Sequence, residues 1–215
     1  MIRFVVALPA EARPLIDRYR LRRRQPAGPF EIYETGSVAL IVSGVGKVAA
    51  VSASGYLQVL RRDEPHACWL NVGLAGHKTR AVGDAILAQR ITDRATSRSW
   101  RPPLCFRLPC DVADVLTVDA PEYTFAEPAC YDMEASGFCQ TAGHFSVAHL
   151  VHCFKVISDN ATHSPGRVDA RTTQQLIAGQ LDVIDRLVQE LSLLSAKQAH
   201  LESDGVALDT SARRL

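Results

Sequence analysis

The sequence predicts an α/β fold: a single domain of three α/β/α layers, with helices on both faces of a central mixed β-sheet. Three observations carry this. The opening run Ile2–Leu8 is apolar nearly throughout and β-branched, as in a strand covered on both sides. Runs of that kind then alternate along the chain with stretches of helical period. Near the end, "LIAGQLDVIDRLVQELSLL" repeats apolar residues at three and four, which predicts one long amphipathic helix from Thr172 to about Lys197.

Each element follows in order. After the first strand, Pro9-Ala10-Glu11 opens a helix that runs to about Tyr19; proline suits a first turn, and an acid there complements the helix dipole. The basic cluster Arg22-Arg23-Arg24, after Arg18 and Arg20, reads as a solvated helix end and turn. Phe30–Glu34 and Val38–Ser43, joined by Thr35-Gly36-Ser37, read as a hairpin. Gly44-Val45-Gly46-Lys47 leads straight into a helix rich in small residues, "VAAVSASGYLQVLRRD". "ACWLNVGLAG" predicts a strand and glycine turn, and "VGDAILAQRITD" another strand. Residues 95–114 hold several prolines and arginines and read as a long loop. "VLTVD" is a short buried strand, a helix begins near Asp132, and "HLVHCFKVIS" is the last strand. Residues 1–197 form the expected domain and 198–215 a polar C-terminal tail.

Composition narrows the function classes. The 215 residues are 47% hydrophobic and 22% charged, as expected of a globular chain. A net charge of +1 gives no overall pull toward nucleic acid or an anionic membrane. No run of about 18 apolar residues is present, so no membrane span is predicted. The N-terminus lacks the longer apolar core and cleavage site of a signal peptide, which predicts a cytoplasmic protein. Six cysteines at irregular spacing, without a CxxC pair, read as reduced thiols; Cys105 and Cys110 bracket a loop and are the pair to consider for a disulfide. His149, His152 and Cys153 suggest a metal site by composition. In a strand the two histidines fall on opposite faces and the four-ligand set is missing, so no metal or organic cofactor is expected.

Four loops are predicted at strand ends, after Val6, Val42, Val72 and Ile157, where ligands gather in open α/β sheets. Gly44-x-Gly46-Lys47 resembles a phosphate loop but fits neither GxGxxG nor the Walker pattern, and read alone it is equally a tight strand-to-helix turn. Glu11, Glu134 and Asp159, read alone, are a first-turn acid, a helix-dipole partner and a cap.

Taken in order, "ALPAEA" (7–12), "SGVGKVAA" (43–50), "NVGLAG" (71–76), "VGDAILAQ" (82–89), "DMEASGF" (132–138) and "ISDNA" (157–161) resemble the nucleoside phosphorylase/nucleosidase superfamily. Among its branches they are most similar to the 5′-methylthioadenosine/S-adenosylhomocysteine nucleosidases, from residue 1 to about 195. The resemblance implies cleavage of a purine nucleoside's N-glycosidic bond in a 5′-modified adenosine-type substrate. It makes Glu11 the activator of the attacking water and Asp159 the acid that protonates the purine, with Ser158 before it. It makes Glu134 the holder of the ribose hydroxyls, with Met133 beside the sugar. Gly73, Leu74 and Ala75 would line the ribosyl site, and Gly46 and Lys47 of the second glycine loop would also bind the substrate. It also implies a homo-oligomer, a dimer in the simplest case.

The chemistry is consistent with those residue types. Breaking the bond develops positive charge on ribose and negative charge on the base, which carboxylates and an acid stabilise respectively. The chain departs from the family where Leu74 replaces a serine, Lys155 an arginine and Thr162 an aspartate, and residues 90–130 are shorter than usual. Trp100, Phe106, Tyr123 and Phe125 are candidates for stacking on the base, or for ordinary core packing. Glu11 suits water activation and would repel phosphate, which favours hydrolysis. Two alternatives stay open. One is a phosphorylase using phosphate, including the hopanoid-pathway enzymes that act on an adenosyl-lipid. The other is a nucleoside-binding protein without catalysis.

Overall fold

The structure is a computed structural model that describes residues 1–26, 28–62, 64, 66–162 and 168–203. Strand β1 (Ile2–Val6) is buried on both faces, as its nearly unbroken apolar run predicts, and its one charged residue, Arg3, is buried with it. It is followed by α1 (Pro9–Tyr19), with Pro9 in the first turn. β2 (Arg22–Arg23), β3 (Glu31–Thr35) and β4 (Val38–Val42) come next, then α2 (Lys47–Leu60). β5 (Cys68–Gly76), β6 (Ala85–Asp93), β7 (Ser99–Trp100), β8 (Asp111–Thr117) and β9 (Cys130–Asp132) lead to α3 (Ala135–Ala142). A 3₁₀ turn at Ala148–Leu150 enters β10 (Val151–Asp159), and α4 (Ala170–Ala178) and α5 (Leu181–Ser203) complete the described chain.

The strands form one mixed sheet. One wing runs β2-β3-β4-β1-β5, with β1 parallel to both β4 and β5. Beyond β5 the sheet closes on itself: β5 pairs β10, β10 pairs β6, β6 pairs β8, β8 pairs β9, and β9 returns to β5 through Gly76 and Tyr131. Apolar side chains fill both sides. Val5, Ile41 and Trp69 pack with Ala53 and Leu57 of α2 and Phe138 of α3. Phe4, Leu70 and Phe154 pack with Leu15 of α1, Ile177 of α4 and Ile184 and Leu187 of α5. The three-layer α/β/α expectation therefore holds.

Several expected elements are redrawn. The Arg22-Arg23 cluster is an exposed edge strand paired to β3, not a helix end and turn. The predicted loop 95–114 contains β7 and the first half of β8; β7 is only two residues long, too short for a periodicity to show. The glycines of "NVGLAG" remain in strand through Gly76, held by β10 and β9 on either side. The single long helix divides into α4 and α5, with Gly179 as the C-cap of α4 and the apolar period resuming after it. α5 extends to Ser203, so residues 198–203, expected in the polar tail, are helical; 204–215 lie outside the described residues. The six cysteines are free thiols, Cys105 and Cys110 included. No group of three metal-binding side chains occurs among the described residues, and no helix there is long and apolar enough to cross a membrane.

Candidate active site

A cavity of about 520 Å³ opens beyond the carboxyl ends of β1, β5 and β10 and the start of α3. Glu11, Glu134, Met133, Leu74, Ala75, Ser158 and Asp159 all line it. Gly73, one residue before Leu74, does not itself line the cavity but lies against the Glu11 carboxylate, in the floor beneath it. Val45 lines the cavity too, whereas Gly46 and Lys47, which follow, are not among the lining residues.

Glu11 occupies the third position of α1 and reaches back over the start of the helix, the acceptor half of a capping box. Its Oε2 accepts from the backbone N–H of Ala7 and Leu8 at 2.9 Å each, and its Oε1 from that of Leu74 at 3.2 Å. The side chain is buried. Burial raises its pKa, against the opposing pull of the Leu8 N–H, of Lys155, and of the Leu74 and Ala7 N–H groups. The first-turn cap and the site carboxylate are thus one residue. A Cβ on Gly73 would stand 3.2 Å from Glu11 Oε1 and 3.4 Å from Lys155 Nζ, so the floor there leaves no room for a side chain.

Lys155 is fully buried on β10, and its Nζ lies 2.7 Å from Asp132 Oδ2. The contact is an ion pair without good hydrogen-bond alignment. Burial pulls the lysine pKa down, but the charges of Asp132 and Glu134 outweigh it and the group stays protonated. Asp132, at the end of β9, caps α3: its Oδ2 accepts from Glu134 N at 3.1 Å and Ala135 N at 2.7 Å, and its Oδ1 accepts from Thr117 Oγ1 at 2.7 Å. The helix expected near Asp132 therefore starts three residues later, with Glu134 as the N-cap residue and the Asp132 side chain holding the first N–H groups.

That cap aims Glu134, whose Oε1 accepts from Gly46 N–H at 2.7 Å. Burial raises the pKa of Glu134 to about 7, with Asp132 and Glu11 adding to the shift and Lys155 and the Gly46 N–H opposing it. Gly46 thus serves the site through its backbone. Lys47 turns away from the cavity: its Nζ sits 2.9 Å from both Asp93 and Asp119. Asp93 is buried and also receives Ser136 Oγ and Thr96. Although burial would raise its pKa, these partners hold it down at about 2.

Asp159 ends β10. The pairing of β10 with β5 slips between Ile157 and Asp159, so Ser158 is an extra, bulged residue opposite the Ala75–Gly76 step. A bulge re-aims the side chain that follows it. Ser158 Oγ donates to Asp159 Oδ1, and burial raises the acid's pKa against that bond. Beyond it, Thr162 bonds Asn160 through both its N–H and its hydroxyl, and Asn160 donates to Arg80 O.

The far wall comes from the segment between β8 and β9, with Val118, Pro121, Glu122 and Tyr123, together with Tyr131 of β9. Of the four aromatic candidates, Tyr123 lines the cavity. Trp100 is core, and Phe106 packs edge-on against His152. Phe125 is buried against Tyr131. Residue-by-residue reading missed Asp132, Tyr131 and Glu122. Asp132 had a partial signal: an Asp just ahead of a helix-forming run can take up the unpaired N–H groups of its start. The other two had none.

A mixed sheet with one closed end, two helical layers and a carboxylate-lined cavity beyond the strand ends define a nucleoside phosphorylase/nucleosidase-like fold. Particular solved structures share it. The 5′-methylthioadenosine nucleosidase of Arabidopsis thaliana is 15% identical over 89% of this chain and 97% of that one, with a TM-score of 0.73. The 5′-methylthioadenosine/S-adenosylhomocysteine nucleosidase of S. pneumoniae, solved with a transition-state inhibitor, is 18% identical over 85% of this chain and 96% of that one, at 0.69. Futalosine hydrolase of Helicobacter pylori is 11% identical over 87% and 97%, at 0.68. No family model and no curated protein matches the chain.

Proposed function

We propose that the protein is an N-glycosidase that releases the base from a 5′-modified, adenosine-type nucleoside, with water as the nucleophile. The observation that carries this is the convergence of Glu11, Glu134 and Asp159, far apart in sequence, on one cavity. The fold likeness to nucleosidases, one of them solved with a transition-state inhibitor, supports the same reaction.

In this reading Asp159 gives its proton to the departing purine, and burial keeps that proton available. Glu134 takes the ribose hydroxyls on the lone pairs that Gly46 leaves open and stabilises positive charge developing on the sugar. Glu11 takes a proton from the attacking water through Oε1, which has one N–H partner against two on Oε2. Lys155 beneath the floor offsets part of this negative charge.

Hydrolysis is favoured over phosphorolysis by the wall itself. Glu11, Glu122, Asp132, Glu134 and Asp159 line the cavity with no lysine or arginine among the lining residues, and Lys47 is engaged by two carboxylates. A phosphate ion would meet like charge. The test is incubation with methylthioadenosine, adenosylhomocysteine and inosine, with and without phosphate, followed by chromatography of free base. Adenine release from the first two without phosphate is expected. Release only with phosphate would replace hydrolysis by phosphorolysis, and tight binding without release would replace the enzyme by a binding protein.

A further inference from the structure

Phe125 is the only buried residue between 121 and 128. Its backbone lies in the left-handed region at φ 47°, where a bulky side chain is uncommon and strained. Strain of that kind persists only where the surroundings enforce it. Here the ends of the loop are tied down on both sides of Phe125. Arg94 reaches Glu122 at 2.7 Å and Glu127 at 2.9 Å and lies 5.3 Å over the Tyr131 ring. Lys47 holds Asp119. Phe125 then packs edge-on against Tyr131, with ring centres 5.7 Å apart.

The inserted ring meets Gly76. A Cβ there would lie 2.7 Å from Phe125 Cε1 and, on the same spot, 2.7 Å from Asp159 Oδ2. Ring and carboxylate are therefore neighbours across the bare Cα of the last residue of β5. Around that carboxylate, Ser158 of β10 supplies the hydroxyl bond. From β5, His77 follows Gly76 and gives its backbone N–H to the backbone oxygen of Asp159. From β9, Tyr131 has its hydroxyl engaged by Glu127. From the loop come Glu122, held by Arg94, and Tyr123, and Glu11 and Glu134 line other parts of the cavity. Among the described residues no cation pairs with the Asp159 carboxylate.

We propose that Phe125 is a positioning residue for Asp159: the tied loop holds its ring over Gly76 so that water is kept from the Gly76 side of the acid, and this sets the pH range over which the acid keeps its proton. The inference rests on the reading of Asp159 as the proton donor. Dehydration favours the protonated form of a carboxyl group, and the raised pKa of Asp159 agrees in direction.

The test uses Phe125→Asn, which is at ease in the left-handed region but short and polar, and Phe125→Leu, which keeps apolar bulk. Phe125→Gly, equally at ease there, repeats the test should Asn not fold. Two readouts are taken: the pH profile of kcat/KM, and titration of the Asp159 carboxyl by ¹³C NMR without substrate, assigned with Asp159→Asn. In Phe125→Asn the basic limb and the NMR titration both move to lower pH by about one unit, a roughly tenfold loss of rate above the limb. Phe125→Leu returns both toward the wild-type position. A rise in KM with both unmoved would overturn the proposal and leave Phe125 as packing. A shifted NMR titration in a protein that releases no base would keep the positioning role and remove the glycosidase reading.

Discussion

Glu134 and Asp159 line one cavity, yet their surroundings are built on opposite plans. On the Glu134 side, every part stands on a regular element. Asp132 caps α3, Gly46 opens α2, Glu11 caps α1, and Lys155 lies inside β10. Their charges sit within one buried cluster: Asp132 and Glu11 push the Glu134 pKa up, Lys155 pulls it down, and Asp132 and Glu134 keep Lys155 protonated. On the Asp159 side, the acid has one hydroxyl partner and its wall is an irregular loop fastened by surface ion pairs. The proposed reaction has a use for both: a firmly held carboxylate beside the sugar, and a lightly bonded acid beside the departing base. The irregular loop, not the regular elements, is where a change of sequence would alter the cavity wall with least disturbance to the core.

The contrast can be broken most sharply at Asp159. Asp159→Asn removes the proton donor and keeps the shape, and a loss of about 10²–10⁴ in base release is expected with nucleoside binding retained. Single-turnover assays beside equilibrium binding check this, and unchanged turnover would end the general-acid role. Lys155→Met strikes the other side and acts on folding instead. It strands Asp132 and its neighbours without their buried cation, and a loss of about 3–5 kcal/mol is expected in urea denaturation.

Glu134→Gln gives a smaller effect. It weakens the ribose hydrogen bonds and lowers kcat/KM by roughly ten- to a hundredfold. Because the pKa of Glu134 lies at about 7, wild-type kcat/KM rises with pH through that value as the carboxylate forms, and Glu134→Gln removes this acid limb. The stability sign is opposite. The folded protein keeps a proton that the unfolded chain releases above 4.5, so this group costs stability as pH climbs from 4.5 through 7. Denaturation midpoints at pH 5 and pH 8 should differ more in wild type than in Glu134→Gln.

The two sides also differ in how far they could be read from residues alone. β1, α1, the β3–β4 hairpin and α2 follow from apolar runs, Pro9 and the glycine turns, and these carry Glu11 and Gly46 to the site. The order of short motifs brought in Glu134 and Asp159. Long-range pairing left no local trace. Asp132 and Lys155 are distant in sequence and on different strands, and nothing near either residue names the other. The clamp of Arg94 on Glu122 and Glu127 is silent for the same reason, and Phe125's left-handed backbone contradicts its own preference. β9 is three residues long and exists only because β5 and β8 flank it. Lys47, expected beside the ligand, was claimed by Asp93 and Asp119, both far along the chain.

The outer end of the sheet has a consequence of a different kind. The described wing finishes at β2, a strand of two exposed arginines followed by Gln25-Pro26. An open strand edge invites another chain to add on, and short length, positive charge and proline are the usual deterrents. All three features meet at this one edge, so the end of the sheet is chemically ill suited to pairing with a further strand.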